Sequence, residues 1–518
     1  MMRRIIVAFA LAFGVFVGVE AAPTDAVTQA DLKVLLERLA KLESENKAQA
    51  ARIAELENQD KQMKKWVDSQ NLKVAEQDKK WELQNDRLSQ MAKASFATAE
   101  GGTTTNETGR IFTTAQGFKY YLADVNARIF EPLSESGLKI TPYGYLVLEG
   151  VYSTHGGACE TYMDYLYHPS SRGYDEQMSV LSMQDSILGI QFETPEAHAG
   201  WKFIGRAEFD LAGSGNANDY DFHWRHLYFD AQHESGWSFL FGQTWHLWKM
   251  VTPSEIDGAW LENTGHPYRR SPQIRVTKQW DWDDSSLNVR VGVVKGGPGM
   301  GGDRDGDGVH DNTASAWPLF EAAAVYDRNA PWQDEGADNR RWLVGIGGMY
   351  GQNRIRNEYD DRKDDYNSDM IMLAGAIPFW DFKLTGQIFA GQNLGGVQAG
   401  VGQTVAFDPV MGDGKEVSTV GGFIDLSYQL TADWSLAVGY GFDSPFIDSG
   451  YIEGDADGYS ASIEHNDRAY IDAFYQVTTN FKIGIEYARL NTRYAGNSVY
   501  QGGTASADRF QFSAYYDF

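Results

Sequence analysis

The chain has 518 residues, room for more than one domain, and its 54 glycines and 13% aromatic residues suit short strands, tight turns and aromatic belts at a membrane interface. Mean hydropathy is −0.43, and beyond the N-terminus no run of about 18 apolar residues occurs, which excludes a helical membrane bundle but not a barrel with a wet interior. A formal charge of −26 excludes nucleic acid as a partner, and a single cysteine, Cys159, excludes a disulfide framework within one chain.

In chain order, residues 1–21 read as an export signal: Arg3 and Arg4 form the basic end, an apolar core follows, and Val19-Glu20-Ala21 supplies small residues for cleavage. The alternative is an uncleaved anchor, but the apolar core is shorter than the ~20 residues a spanning helix needs. Residues 26–95 read as a periplasmic coiled coil. A seven-residue repeat places Leu32, Leu39, Ile53, Val67, Val74, Trp81 and Leu88 at one seam position and Leu35, Leu42, Leu56, Met63 and Met91 at the other. Neither Gly nor Pro interrupts 31–91, a helix about 90 Å long at 1.5 Å per residue. In a parallel assembly Arg38 faces Glu43, Arg52 faces Glu57 and Lys73 faces Asp78, so self-association is expected, with the choice between two and three strands left open by polar seam residues such as Asn46 and Gln49. Residues 96–137 are a linker that includes GGTTTNETG.

From 138 to 518 the period becomes two, and the predicted fold is an all-β transmembrane barrel of about 16 antiparallel strands. The expected strands are 138–153, 185–194, 201–211, 222–232, 237–244, 273–280, 287–294, 318–326, 341–350, 370–377, 382–390, 420–430, 434–442, 468–477, 481–490 and 509–518. In the last of these Phe510, Phe512, Tyr516 and Phe518 share one face and Arg509, Gln511 and Ser513 the other, as a strand with lipid on one side and water on the other requires. Short connections such as Thr431-Ala432-Asp433 alternate with long ones such as 391–418, as expected of periplasmic turns and external loops.

The most informative stretch is 222–279, which holds HWRHLYFD, FGQTWHLWKM, a connection of nearly thirty residues, and YRRSPQIRVTKQ. A connection of that length inside a compact domain is usually functional, and in a barrel it is expected to fold inward and narrow the pore. Arg225-His226 followed by Tyr228, then Gly242-Gln243-Thr244-Trp245, then Arg270-Ser271-Pro272-Gln273-Ile274-Arg275, together resemble the trimeric DcaP-like outer-membrane porins. That resemblance implies a homotrimer in the bacterial outer membrane, a sixteen-stranded barrel behind a signal peptide and coiled coil, and passage of dicarboxylates and related small anions.

The residues themselves point the same way. Arg225, His226, Arg269, Arg270, Arg275 and Arg290 are the candidate pore-lining and substrate residues. An arginine facing lipid near mid-membrane costs about 2 to 4 kcal/mol, so Arg290 is expected in the lumen, where guanidinium groups can grip carboxylates in bidentate fashion. The competing expectation is that these arginines pair with lumen acids such as Glu208 and Asp210. Strict alternation puts Arg225 on the same face as Leu227 and Phe229, which requires either a place beyond the apolar band or a bulge. Most Asp and Glu are expected in the coiled coil, turns and outer loops, and His246 and His266 as polar lining of the pore loop.

An insertion, DRDGDGVHDN, carries Asp303, Asp305, Asp307, Val309 (through its carbonyl) and Asp311 in the spacing of the first half of a calcium loop, with Ala314 where an EF-hand has its bidentate Glu. It resembles a thrombospondin type 3 calcium repeat, so Ca2+ in an external loop is a candidate ligand, the alternative being a solvated acidic loop; no cofactor is otherwise expected. No set of nucleophile, base and acid stands out, so the expectation is a channel and not an enzyme. The alternative function is a structural outer-membrane protein that uses its coiled coil as a periplasmic tether.

Overall fold

The computed structural model describes residues 137–518, apart from 195–197, 214–219, 297–311, 315–316, 334–340, 357–362, 409–412, 447–451, 454–462 and 497–501, together with Lys61. The predicted signal peptide, coiled coil and aspartate-rich insertion lie outside the described residues.

Among the described residues the polypeptide forms a closed antiparallel barrel of sixteen strands: β1 (Lys139–Ser153), β2 (Met178–Ser182 and Ile187–Glu193), β3 (Trp201–Asp210), β4 (His223–His233), β5 (Trp237–Trp245), β6 (Arg270–Asp281), β7 (Ser285–Val294) and β8 (Leu319–Asn329) come first. They are followed by β9 (Arg341–Arg356), β10 (Lys363–Phe379), β11 (Phe382–Gln392), β12 (Ser418–Gln429), β13 (Trp434–Phe446), β14 (Ile463–Thr478), β15 (Phe481–Tyr494) and β16 (Gly503–Asp517). Each pairs with the next, and β16 returns to β1 in a register that runs from Tyr145 opposite Asp517 to Ser153 opposite Arg509. Closure matters because an open edge in lipid would leave a row of unpaired N–H and C=O groups.

The expected strands and the observed ones correspond one to one, with two differences of extent. β2 is interrupted: both of its halves pair with β1, and in the gap the Ser186 hydroxyl accepts the Val147 N–H at 3.0 Å, restoring a ladder bond. On one side of the barrel the strands are longer than their alternating cores, as in β10 with 17 residues, because the extra polar residues rise beyond the apolar band. The small Asn312–Ala314 strand adds to β9 there.

Alternation sets the faces. Ile274, Val291, Ile346, Ile371, Leu373, Ile388, Ile424, Val438, Ile471 and Ile485 are exposed on the outside, which lipid covers. Toward the short turns the outer surface becomes aromatic, with Phe382 stacked on Phe379 and on Tyr428 and Trp434 packed on Tyr475, the interfacial position that amphipathic rings prefer. On β16 Phe510, Phe512 and Tyr516, with Phe518 just beyond it, are exposed while Arg509, Gln511 and Ser513 are buried inside.

The interior is where the structure departs from expectation. Glu149, Glu208, Asp210, Glu321, Asp425, Asp443, Asp472 and Glu486 are all buried on inward-facing strand positions, six lumen acids beyond the expected Glu208 and Asp210. Three connections fold inward against this polar wall. The 154–177 connection is held by Tyr494 Oη donating to the Leu166 carbonyl, by Leu166 N–H donating to Thr492 Oγ1 at 2.9 Å, and by Asn466 Nδ2 donating to the Asp164 carbonyl at 2.7 Å. The 393–417 connection, expected outside, buries Leu394, Val397, Ala399 and Val401 and presents the Gly400 N–H to Asp443 at 2.7 Å. The third is the long connection between β5 and β6.

Candidate functional site

Residues 246–269 leave β5 and cross the lumen. Their root is pinned on β8 by one carboxylate: Glu321 accepts the Leu247 N–H at 2.9 Å and Trp248 Nε1 at 3.1 Å, and its Oε1 lies 2.5 Å from His246 Nδ1. Farther along, Ser254 Oγ donates to Asp425 at 3.1 Å, the Ile256 N–H to Asp472 at 3.2 Å and the Asp257 N–H to Glu486 at 3.1 Å, so the loop tip reaches β12, β14 and β15 on the far side of the barrel. Close approach to the wall is possible where the wall lacks side chains. A Cβ on Gly441 would lie 2.1 Å from the Thr264 carbonyl oxygen, and one on Gly484 2.7 Å from Ile256 Cδ1.

The tip is locked by charge. Arg468 of β14 donates through Nη1 to Asp257 at 2.6 Å and through Nη2 to Glu486 at 2.5 Å, and its Nε lies 2.8 Å from Glu255; Arg509 of β16 also reaches Asp257 and Glu486. Arg509 Nη2 donates to the Thr161 carbonyl at 2.5 Å, tying the 154–177 connection to the same point. Burial alone would raise the Asp257 carboxyl, but Arg509 and Arg468 hold it below its ordinary range; burial keeps Glu255 well above its own, against the pull of Arg468. Glu255, Asp257 and Glu486 are close enough together to suggest a metal site. The two guanidinium groups already supply the positive charge, so these carboxylates form an anchor and not a cation site.

Of the residues singled out in sequence, two belong to a paired network. The β3–β4 register shifts so that Glu208 faces His226 and Phe209 faces Trp224, leaving Arg225 as the extra residue of a bulge. The bulge turns Arg225 and His226 inward together. Arg225 Nε donates to Glu208 at 2.9 Å and Nη1 to Asp210 at 2.7 Å, and Arg206 also binds Glu208. His226 is 4% exposed and lies 2.9 Å from Thr244 Oγ1. Arg225 and His226 are thus parts of the wall rather than free lining groups. His246 and His266 are buried as well: His246 sits between Glu321 and Ser271, and the His266 ring bridges the carbonyls of Trp260 and Val251 at 2.7 and 3.1 Å.

The other four arginines differ. Among the described residues Arg269, Arg270, Arg275 and Arg290 form no ion pair with a carboxylate. Arg269 Nη1 donates to the Gly396 carbonyl at 2.8 Å, joining two inward connections. Arg270 lies over the Trp245 ring at 4.4 Å, with its Nη1 unbonded. Arg275 donates to Gln273 Oε1 and, at 2.6 Å, to the Trp245 carbonyl. Arg290 faces the lumen with Nε unbonded. The hydrogen-bond partners of Arg269 and Arg275 are neutral, so no contact carboxylate neutralises these groups.

Sequence reasoning missed Lys249. Its Nζ donates to Thr252 Oγ1 at 2.6 Å and lies 4.6 Å from the Trp245 ring and 5.3 Å from that of Trp260, a cation–π arrangement. Burial, with Arg270 and Arg225 adding to it, pushes its ammonium down to about 7. Glu262, which accepts Tyr268 Oη at 2.8 Å, is pushed up by burial to about 7. A lysine inside a long connection rich in tryptophan was the available signal. The anchors Glu321, Arg468 and Glu486 carried only that of an inward charged position.

No family model matches the chain, and no curated protein does. Among solved structures, the outer membrane channel DcaP of Acinetobacter baumannii superimposes with a TM-score of 0.57 at 18% identity, covering 74% of this chain and 97% of that one. The fold is that of a DcaP-like outer-membrane porin. An anion-selective porin from Comamonas acidovorans matches at a TM-score of 0.47 and 13% identity, over 74% of this chain and all of that one, and OprB of Pseudomonas putida at 0.45 and 8%, over 76% and 97%. A closed barrel with an apolar outer band is the architecture of a membrane-spanning β-barrel. The first of these solved structures is an outer membrane channel and the second a porin.

Proposed function

We propose that the protein is a passive diffusion channel for small hydrophilic anions, dicarboxylates among them. The observation that carries this reading is the set of four lumen arginines, Arg269, Arg270, Arg275 and Arg290, gathered at the root of the inward loop and β6–β7 without carboxylate partners among the described residues. Four of the buried acids in the barrel are matched by other cations. Glu208 and Asp210 are matched by Arg206 and Arg225, and Asp257 and Glu486 by Arg468 and Arg509. Fixed cations within about a Debye length of the narrow zone, ~8 Å at physiological salt, lower the barrier for anions and raise it for cations. Reversal potentials across a salt gradient test this. The wild type is expected to prefer chloride and small carboxylates over potassium, and Arg269→Ala/Arg270→Ala/Arg275→Ala to lose most of that preference. Cation preference in the wild type, or an unchanged ratio in the triple variant, would overturn it.

The same reading includes an exported homotrimer whose 26–95 coiled coil stands in the periplasm, supported by the heptad pattern, and a calcium-binding loop at Asp303, Asp305, Asp307, Val309 and Asp311, supported by the spacing of its carboxylates.

A further inference from the structure

Below the inward loop, on the side of the short turns, the β4–β7 wall holds a recess of about 430 Å3 lined by Arg275, Arg290, Asp230, Thr277 and Asn288. That is within the range of small-ligand sites. Its groups are unusual in what they lack. Arg290 Nε is a buried donor without an acceptor, and Asp230 Oδ1 a buried acceptor without a donor. The other Asp230 oxygen is taken by Gln232 Nε2 at 2.8 Å, so Asp230 is oriented but half used. Arg275 is steadied in the same way by Gln273.

These groups lie in one inward row. Asp230 is opposite Leu240 and Leu240 opposite Arg275, while Arg290 faces Thr277, two residues along the same face. Two strand spacings put the Asp230 and Arg275 backbones about 10 Å apart, a gap their side chains narrow. The recess therefore offers two guanidinium groups on one side and a carboxylate acceptor on the other. The remaining acids at its rim, Glu234 and Asp281, are exposed, and Asp281 accepts Gln279 Nε2 at 2.8 Å; solvent screens them.

We propose that this recess binds a small dicarboxylate that also carries a hydrogen-bond donor, a hydroxy- or amino-diacid, before it leaves the channel on the short-turn side. The proposal rests on the anion-channel reading above. The carboxylates engage Arg275 and Arg290, and the hydroxyl or ammonium donates to Asp230 Oδ1. A plain diacid satisfies only the arginines and sets its own charge against Asp230, leaving that oxygen unpaired. A site that binds a donor in this way discriminates against the analogue that lacks it.

The test is current block in planar bilayers in potassium chloride, with malate or succinate added on the short-turn side. Malate is expected to half-block at about a tenfold lower concentration than succinate, the worth of one hydrogen bond to a charged group in a partly wet site. Asp230→Ala should remove the difference while leaving succinate block in place, and Arg290→Gln should weaken both alike. Equal block by the two diacids in an anion-selective wild type, or a preference for malate that survives Asp230→Ala, overturns the site. Cation selectivity in the same membranes would instead overturn the channel reading beneath it, so the two failures are distinct.

Discussion

Replacing Arg468 with methionine removes the cation that faces Glu255, Asp257 and Glu486 at 2.8, 2.6 and 2.5 Å while keeping the volume of a side chain that is 1% exposed. Arg509 still meets Asp257 and Glu486 but has no contact with Glu255, so the charge balance at the loop tip is lost. Breaking a buried ion pair by deleting one partner costs about 3 to 5 kcal/mol, which is a shift of at least a hundredfold in the ratio of docked to undocked loop. The barrel itself should persist, because its ladders do not pass through this group. Among the tethers that remain, Ser254 on Asp425, the backbone of Ile256 on Asp472 and the backbone of Asp257 on Glu486 are single hydrogen bonds, each worth roughly 0.5 to 1.5 kcal/mol with a neutral acceptor and up to about 3 kcal/mol with a charged one. Single-channel recording at pH 8 should show larger and noisier conductance than the wild type. The sign of the pH dependence follows from Glu255, whose carboxyl burial holds well above its ordinary range. Its protonated form suits the docked loop, so docking is favoured at low pH and weakened as pH rises through the raised value. The defect of Arg468→Met should therefore shrink at pH 5. If the variant is as quiet as the wild type at pH 8, with the same conductance, the charge cluster does not hold the loop.

Three further outcomes are expected. Lys249 is lowered to about 7 and Glu262 raised to about 7; as pH rises through 7 the first loses a positive charge and the second gains a negative one, so anion preference should fall between pH 6 and 8, and Lys249→Met should flatten that fall in reversal-potential measurements. Light scattering in mild detergent should give a trimer for the full protein, and deletion of 26–95 should weaken assembly without abolishing the barrel; a monomeric wild type would contradict the heptad reading. Calorimetry at millimolar calcium should give a binding heat that Asp305→Ala/Asp307→Ala abolishes; equal heats would leave the loop a charged surface only.

What the linear sequence determined is what alternation alone can carry. Sixteen stretches of period two, their lipid-facing residues and the even count were legible because the bilayer imposes the same rule on every strand: apolar outward, backbone fully paired. The inward turn of Arg290, the burial of Arg509 and the long β5–β6 connection as the element to examine could be read for the same reason. Pairing across the lumen was another matter. Whether an inward arginine is free or neutralised depends on residues far away in the chain: Arg468 meets Glu255 over 200 residues away and Arg509 meets Thr161, whereas Arg290 meets no carboxylate among the described residues. The Arg225 bulge, the inward fold of 393–417 and the capture of loop root and tip by Glu321, Arg468 and Glu486 likewise came only from the tertiary structure. Strand periodicity states which face a side chain occupies, but closing the barrel decides which charges share that face at hydrogen-bond distance, and an electrostatic site is defined by distance.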